Sequence, residues 1–470
     1  MSEGISGDRL ISLDVFRGLT IAGMVLVNNP GTWSHIYDPL EHAAWHGLTP
    51  TDWIFPFFLF IVGVAIPLAL AKRVAAGLTG KVYWKIFSRA AIIFLLGLAI
   101  SVTPFFQFQA SDAPDSLKML VWLVMSGALF FLLLRNFKVA AVLIAASIIG
   151  IVAMNLAGYN LVTYNFGTMR IPGVLQRIAV CYLIVSLIFL HTNWRQQLGI
   201  AVALLLGYWA LMTLVPVPGC EVTTFNDKAC NLAAWLDRTI LTEDHMWRSA
   251  KVFDPEGILS TLPAIATTIS GVLTGTWLRR RDFLPYTAES TGGIVTPERA
   301  VDAASTGKVV LSDNSSLVTR HLSLVSGLFF FGTILLAVGY IWSSYFPLNK
   351  SLWTSSYVLV TTGLALLVLG CCYWLIDLKG YKRWAWPFVV FGVNALPLFV
   401  FSGIMARMLG AMRVAGPDAK PVSLQKWIFD NIYLSIAQPV DASLMFAISF
   451  ILLWLFLMWL LYRKRIIMKV

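Results

Sequence analysis

Three of the six histidines in the chain, His35, His42 and His46, stand close together in the segment GTWSHIYDPLEHAAWHGLTPTDWIFPFF. Asp52 follows them at the start of the next apolar run. Histidine is the commonest general base near neutral pH, and a neighbouring carboxylate can fix its tautomer and raise its basicity. This segment therefore supplies both parts of an acid–base site.

The same segment allows two other interpretations. His42 and His46 stand at i and i+4 and would share a face if the segment were helical, which is a metal-ligand spacing. The pattern lacks the glutamate of HExxH, and no third ligand stands at a comparable spacing. A solvated loop with interfacial histidines and no chemical role is the remaining alternative.

A second group of polar residues lies in the apolar run LDVFRGLTIAGMVLVNNPG. Asp14 and Arg17 are at helical spacing, and Asn28 and Asn29 follow at the far end of the run. Polar groups inside a membrane are costly unless paired, so each is a functional candidate. A purely structural ion pair between Asp14 and Arg17 is the competing interpretation.

Two further runs place polar residues at the starts of apolar segments. MRIPGVLQRIAVCY contains Gln176 and Arg177, and FDPEGILSTLPAIATTISG contains Asp254 and Glu256. The two carboxylates could cap a helix, because a helix N-terminus favours negative charge. Arg177 cannot be explained in that way, since a cation is disfavoured at that end.

The elements that carry these residues are apolar segments. The chain has 470 residues, of which 58% are hydrophobic and only 13% charged, and its mean hydropathy is +0.75. Runs long enough to cross a bilayer, about 20 residues each, recur along the whole chain. The sequence therefore predicts an all-α, polytopic membrane bundle of about twelve transmembrane helices. The twelve segments fall near 15–30, 52–70, 89–105, 118–134, 138–157, 173–190, 198–215, 257–277, 322–342, 353–375, 386–408 and 441–461.

The distribution of basic residues sets the expected topology. With the N- and C-termini in the cytoplasm, roughly 23 of the 35 Lys and Arg lie inside, as the positive-inside rule requires. The net charge of +11 is thereby explained without nucleic acid. We expect a single transmembrane domain over residues 1–470 in lipid contact, in the inner (cytoplasmic) membrane. Residues 216–256 are predicted as an outer loop and 279–320 as a flexible cytoplasmic loop.

The N-terminus and the cysteines complete this picture. No removable signal peptide is recognised, so the first helix is expected to be its own insertion signal. Cys220 and Cys230 share the outer loop and could form a disulfide in an oxidising compartment, or remain two surface thiols. The cysteines inside predicted helices are interpreted as small apolar filler. They are Cys181, Cys371 and Cys372.

Several runs together resemble a known family. They are RLISLDVFRGLTIAGMVLVNN, HAAWHGLTPTDWIFPFFLFIVG, RIPGVLQRIAVCY, FDPEGILSTLPAI, PLNKSLWTSSYV and YRKRIIMKV. In order and spacing they look like the transmembrane heparan-α-glucosaminide N-acetyltransferase family and its bacterial homologues. The chain resembles the animal enzyme without its long luminal N-terminal domain. The hairpin 118–157 looks like an addition to a ten-helix family core.

The resemblance implies a vectorial acetyl transfer. The animal enzyme takes acetyl from cytosolic acetyl-CoA and delivers it to terminal glucosamine across the lysosomal membrane. The family's catalytic histidine, in HAxW, corresponds to His42, and its catalytic asparagine, after MVxVN, corresponds to Asn28. Asp52 also matches, whereas the animal enzyme has Asn at the position of His46. The resemblance further suggests a homodimer.

These implications give a set of expected roles. His42 acts as base, Asn28 orients the thioester or stabilises the oxyanion, and Asp52 holds the imidazole. Arg17, with its neighbour Asp14, is expected at the acetyl-CoA site. No metal is expected.

The acceptor is expected on the outer side of the membrane. Gln176, Arg177 and Glu256 are expected to meet an amino sugar there, with glucosamine or a small related sugar preferred to a sulfated polymer. Two other functions stay open at this stage. One is a permease for N-acetylglucosamine or a related sugar, and the other is a structural or assembly role.

Overall fold

The computed structural model describes residues 10–280, 312–416 and 420–468, and long helices dominate them. Apolar segments become helices because a lipid-embedded backbone must satisfy its own N–H and C=O groups. This confirms the predicted all-α, polytopic membrane fold. The helices, numbered in chain order, are α1 (Ile11–Asn28), α2 (Ile54–Ala75), α3 (Gly80–Val102), α4 (Asp115–Leu133), α5 (Phe137–Leu156), α6 (Val174–His191), α7 (Trp194–Leu214), α8 (Leu232–Leu241), α9 (Thr261–Arg280), α10 (Ser312–Ser343), α11 (Ser355–Cys372), α12 (Trp386–Val393), α13 (Ala395–Ala411), α14 (Leu424–Ile428) and α15 (Pro439–Arg463).

The number of membrane spans is close to the predicted twelve. Among the described residues, ten helices are long and apolar enough to cross a bilayer, and the bent pair α12–α13 makes eleven. The remaining predicted segment, 257–277, corresponds to α9, which is rich in Thr, Ser and Gly. The predicted loop 279–320 lies largely outside the described residues, and the helices on either side reach Arg280 and begin at Ser312.

Contacts between connecting segments indicate that α9 also crosses the bundle. The segment after α7 meets the segment after α1, where the Trp45 indole donates to the Phe225 carbonyl at 3.1 Å. The segment after α10 meets α7, where the Tyr208 hydroxyl donates to the Leu352 carbonyl at 2.5 Å. These connections lie at one end of the bundle, so α9 and α10 must leave that end and return to it. We call it the outer end, following the predicted topology.

Close contacts near the middle of α2 and α9 fix these two helices relative to each other. Gly63 and Gly271 face one another, and a Cβ at Gly63 would lie 2.0 Å from the Thr268 carbonyl oxygen. A Cβ at Gly271 would lie 2.1 Å from the Phe60 carbonyl oxygen. Such small-residue contacts let membrane helices approach closely. They hold together the segments that precede α2 and α9, which carry Asp52 and Glu256.

The hairpin of α4 and α5 lies at the periphery of the fold. Its two helices pack on each other, and only 28% and 17% of their most apolar stretches are buried, compared with 72% for the span that contains α2. Both predicted helices of 118–157 are therefore present, but they contribute little to the core. Their position is consistent with an addition to a smaller bundle.

The bend of 84° between α12 and α13 occurs at Asn394. The Asn394 amide group donates to the Ile466 carbonyl at 3.0 Å and accepts from the Met468 N–H at 3.0 Å. These two bonds hold the segment after α15 against the bend. At the opposite end of α13, the strands β1 (Arg413–Ala415) and β2 (Pro421–Ser423) form a small antiparallel hairpin.

Candidate active site

The irregular segment between α1 and α2 brings His42 and Asp52 together. His42 Nδ1 lies 2.7 Å from Asp52 Oδ1. The side chain of Asp52 is 1% exposed and that of His42 is 47% exposed. A carboxylate oxygen only accepts hydrogen bonds, so Nδ1 carries the ring proton and Nε2 presents its lone pair. The imidazole is thus in the tautomer that a general base requires.

The other contacts of Asp52 hold its carboxylate in place. Its Oδ2 accepts from the backbone N–H groups of Ala43 at 3.2 Å and Thr49 at 3.1 Å. The Tyr357 hydroxyl of α11 donates to the Asp52 carbonyl oxygen at 2.6 Å. A buried charge is tolerated only when it is paired and hydrogen-bonded, and this network meets that requirement. Asp52 therefore orients His42 from inside the protein.

A third residue, Lys350, completes the cluster from the segment before α11. Its Nζ lies 2.9 Å from His42 Nε2, 3.0 Å from His42 Nδ1 and 3.7 Å from Asp52 Oδ1. Burial lowers the pKa of the Lys350 ammonium, and the charges of Asp52 and Glu256 offset only part of that effect. An amine is therefore held within hydrogen-bond distance of both ring nitrogens of His42.

His46 belongs to a different set of contacts. Its Nε2 lies 2.9 Å from Asn226 Oδ1, and its Nδ1 lies 3.3 Å from Asn349 Nδ2. The structure shows that the 41–49 segment is not helical, so the helical face assumed for a metal pair of His42 and His46 does not exist. Within the described ranges, no group of three or more His, Cys, Asp or Glu residues could hold a metal ion.

An ion-pair cluster lies near Lys350 in the segments before α6 and α9. Arg170 binds Asp254 through two nitrogens, at 2.6 and 2.9 Å, and Glu256 at 2.5 Å. These carboxylates raise the pKa of the Arg170 guanidinium. Because α9 begins at Thr261, Asp254 and Glu256 precede it by several residues, and the helix-capping interpretation is wrong.

Arg170 also lines an outer cavity of about 630 Å³.

Asp237 of α8 binds the backbone of the segment that carries Asp254 and Glu256. Its carboxylate accepts from the backbone N–H groups of Ile258 at 2.9 Å and Asp254 at 3.3 Å. A Cβ at Gly257 would lie 2.1 Å from Asp237 Oδ2, so glycine is required where the segment wraps over the carboxylate. Burial raises the pKa of Asp237 from 3.8 to about 6.

Gln176 and Arg177, predicted to meet the acceptor, are buried in α6. Arg177 is 2% exposed and donates to the Gly257 carbonyl at 3.0 Å and to the Ser260 hydroxyl at 2.5 Å. Its Nε and Nη1 have no hydrogen-bond partner among the described residues, but its guanidinium lies 5.1 Å from the Trp353 ring centroid. Gln176 is 5% exposed and packs over Gly97 of α3.

Asn28 ends α1 and is exposed. In the described part of the chain its side chain makes no hydrogen bond, and therefore none to His42. The neighbouring Asn29 is buried and donates to the Val25 carbonyl at 2.8 Å. The catalytic role of Asn28 therefore stays a prediction from the family motif.

Asp14 and Arg17 lie 3.2 Å apart at the opposite end of the bundle, which we call the cytoplasmic end, following the predicted topology. Arg17 Nη1 also lies 3.4 Å from the Gly392 carbonyl, and its side chain lines a cavity of about 210 Å³. Arg89 of α3 lines the same cavity, with its guanidinium 5.1 Å from the Tyr182 ring centroid. The other residues that line the cavity are mainly apolar, so the two guanidinium groups lie in an otherwise hydrophobic cleft.

Comparison with known proteins gives an independent measure of relationship. The human heparan-alpha-glucosaminide N-acetyltransferase is 25% identical over 444 residues, which cover 83% of this chain and 52% of the human protein. The mouse heparan-alpha-glucosaminide N-acetyltransferase is 25% identical over 443 residues, covering 84% of this chain and 53% of the mouse protein. The chain is a distant relative of these N-acetyltransferases. It spans about half of their length. No protein-family model matches the chain.

Lys350 and Arg170 are the site residues that sequence reasoning missed. Lys350 stands within PLNKSLWTSSYV, one of the runs that resemble the N-acetyltransferase family, so the segment was found but the lysine was not assigned a role. Arg170 begins another of these runs, RIPGVLQRIAVCY, and was likewise not assigned a role. A cation inside a family run is the signal that could have identified both.

The outer loop between α7 and α9 is closed by a covalent bond. Cys220 and Cys230 form a disulfide in a loop of the outer end. Phe225, within that loop, accepts from Trp45, and Asn226 contacts His46. The disulfide loop therefore packs directly against the histidine-bearing segment.

Proposed function

We propose that the chain is a transmembrane acetyltransferase. It transfers acetyl from cytoplasmic acetyl-CoA to the amine of glucosamine or a related amino sugar on the outer side. The observation that carries the proposal is the pair of His42 and Asp52, in which a buried carboxylate binds Nδ1 of an exposed imidazole and leaves Nε2 facing away from Asp52. The distant relationship to two N-acetyltransferases supports the reaction class.

In the proposed reaction His42 is the general base. The neutral amine of the sugar attacks the thioester carbonyl carbon, and His42 Nε2 takes the amine proton. The C–S bond then breaks, and the CoA thiolate receives that proton from the imidazolium. Asp52 stabilises the imidazolium between these two events. Direct transfer of this kind requires only that amine and thioester meet in one place.

The oxyanion that forms in this reaction needs a donor. Asn28 is proposed for this role from the family motif, with a side chain that is exposed at the end of α1. Lys350 is a second candidate donor, because its Nζ lies 2.9 Å from His42 Nε2. Preorganised donors aimed at developing charge commonly provide the largest part of catalysis.

The acetyl-CoA side of the proposal relies on the cytoplasmic cavity. Arg17 and Arg89 would bind phosphate oxygens of CoA, and the apolar walls of the cleft would suit the rest of its chain. Asp14 holds Arg17 at 3.2 Å, which makes Asp14 a positioning residue. Since the cavity lies at the opposite end from His42, CoA and sugar would enter from opposite sides.

The acceptor side relies on Glu256. Its carboxylate is 11% exposed and acts electrostatically on Lys350, so it contributes negative charge near the site that would attract a sugar ammonium. Arg177 holds Gly257 and Ser260, so we assign it to positioning the Glu256 segment rather than to touching sugar. Gln176, buried against Gly97, is assigned a similar role.

The proposal is tested by placing the two substrates on opposite sides of a membrane. Purified protein is reconstituted into liposomes with labelled acetyl-CoA inside and glucosamine outside. We expect acetylated sugar in the outer medium only when acetyl-CoA is inside the liposomes and the cytoplasmic end of the protein faces the liposome interior. Saturable uptake of sugar without acetylation would instead favour a permease, the function for which the broken pair α12–α13 is typical.

A further inference from the structure

The amine of Lys350 occupies the place that an acceptor amine would need. A general base must be within about 2.6–3.2 Å of the group whose proton it takes. Lys350 Nζ lies 2.9 Å from His42 Nε2, the nitrogen that does not contact Asp52, and 3.0 Å from Nδ1, the nitrogen that does. The chain therefore presents one of its own primary amines to its own base.

The surroundings of this amine differ from those of a surface lysine. The Lys350 side chain is 22% exposed, whereas the side chain of Lys426 in α14 is 61% exposed and paired with Asp430. The charged and titratable groups that face Lys350 are His42, Asp52 and Glu256. Burial lowers the pKa of Lys350 and so raises the fraction of neutral, nucleophilic amine near neutral pH.

We propose that Lys350 is a site of self-acetylation. When no acceptor sugar is bound, its Nζ attacks the thioester carbonyl carbon of acetyl-CoA and forms a new N–C bond. His42 Nε2 takes the proton released from the amine, the C–S bond breaks, and the CoA thiolate takes that proton to leave as the thiol. The products are N-acetyl-lysine at position 350 and free CoA. This inference rests on the proposed function, because it uses the same donor and base.

Acetylation of Lys350 would change the site in a defined way. The product is a neutral amide, so the site loses the cation that lies 3.7 Å from Asp52. The bulk of the acetyl group would remain beside His42 Nε2 and exclude an acceptor. Self-acetylation therefore inactivates the enzyme, and an acceptor sugar protects against it by competing for the donor.

The test uses the full chain in detergent with isotopically labelled acetyl-CoA and no sugar, followed by peptide mass spectrometry. A parallel aliquot receives glucosamine and is scored for acetylated sugar. We expect label on Lys350 to rise well above label on Lys426, to fall at least tenfold in His42→Gln, and to fall when glucosamine is present. In Lys350→Arg the label at that position disappears, because arginine is not an acceptor amine.

Each other outcome overturns a defined statement. Acetylated sugar with unlabelled Lys350 would refute self-acetylation and leave the proposed function standing. Label on His42 alone, or label on Lys350 equal to that on Lys426, would also refute it. Absence of both label and acetylated sugar would refute the proposed function together with the inference. Retention of the wild-type elution volume and unfolding temperature by His42→Gln shows that loss of label is not loss of fold.

Discussion

The Asp52 carboxylate is buried, while the His42 imidazole that it binds at 2.7 Å is nearly half exposed. The orientation of the exposed ring is therefore set by a group that solvent cannot reach. Backbone N–H groups of Ala43 and Thr49 hold the same carboxylate, so it has little freedom to turn away. Such outer-shell partners commonly decide which nitrogen of a histidine is available.

The first prediction concerns Asp52→Asn. This variant keeps the shape of the side chain but removes the charge that stabilises the His42 imidazolium. If the Asn NH2 group faces Nδ1, it donates to Nδ1 and favours the tautomer with the proton on Nε2. We expect turnover with saturating substrates to fall by roughly 100-fold or more, within the range of general-base contributions. The measurement is the rate of sugar acetylation by purified protein.

Asp430→Asn is the matched control for that measurement. Asp430 lies in an outer segment, is 28% exposed and pairs with Lys426 at 2.8 Å, so its loss should leave turnover unchanged. Wild-type turnover by a folded Asp52→Asn variant would show that the carboxylate does not serve His42.

The second prediction concerns Arg170→Ala. Removing the guanidinium leaves Asp254, which is 2% exposed, and Glu256 without their cation. Breaking a buried ion pair from one side typically costs about 3–5 kcal/mol, so we expect a clear loss of thermal stability. Thermal unfolding in detergent measures it, and Arg248→Ala, which removes an exposed arginine bonded to Thr168, should have a much smaller effect. Equal effects of the two variants would contradict the assignment.

The third prediction is a pH dependence set by Asp237. Its pKa is raised from 3.8 to about 6, so between these pH values the folded state binds more protons than the unfolded state. The free energy of unfolding therefore falls as the pH rises toward 6, by at most about 3 kcal/mol from this group. Asp237→Asn should flatten this part of the stability profile.

Unfolding temperatures measured from pH 4.5 to 7.5 check the Asp237 assignment. Asp227→Asn is a useful comparison, because backbone N–H groups of Ala229 and Cys230 lower the pKa of Asp227. The charged Asp227 carboxylate therefore stabilises the folded state, whereas the charged Asp237 carboxylate destabilises it. The Asp227 stabilisation is lost only when the pH falls below 3.8, outside the range tested. An unchanged profile in Asp237→Asn would rule out Asp237 as the titrating group.

The fourth prediction concerns the cytoplasmic cavity. Arg89→Gln removes one of its two guanidiniums while leaving the ion pair of Arg17 and Asp14 in place. Hydrogen bonds to charged groups contribute about 1.5–3 kcal/mol, so KM for acetyl-CoA should rise by roughly 10-fold or more. KM for the sugar should not change. Arg195→Gln, in the first turn of α7, should leave both values as they are, and equal shifts in the two variants would argue against a CoA site here.

The sequence predicted most of the fold because membrane helices follow from composition. Eleven of the twelve apolar segments each correspond to one helix and 386–408 to the bent pair α12–α13, since a long apolar run in lipid has few other ways to satisfy its backbone. The bend at Asn394 was not predicted. It depends on side-chain bonds to Ile466 and Met468, which are distant in sequence and have no local signature.

The candidate site was predicted only in part, for a similar reason. His42 and Asp52 are ten positions apart, so one segment revealed both. Lys350 lies 308 positions from His42, and Arg170 lies 84 from Asp254, so their pairing depends on how helices pack. Arg177 looked like a substrate ligand because an intramembrane cation suggests function, whereas the structure buries it behind the site.

The most direct test of the account measures sugar acetylation with labelled acetyl-CoA and glucosamine, comparing wild type with His42→Ala and with His46→Ala. His46 shares the segment but contacts Asn226 and Asn349, so it serves as the matched control. We predict acetylated sugar with wild type and with His46→Ala. With His42→Ala the rate of sugar acetylation should fall at least 100-fold, in line with the removal of a general base. Full activity in a folded His42→Ala protein would contradict it.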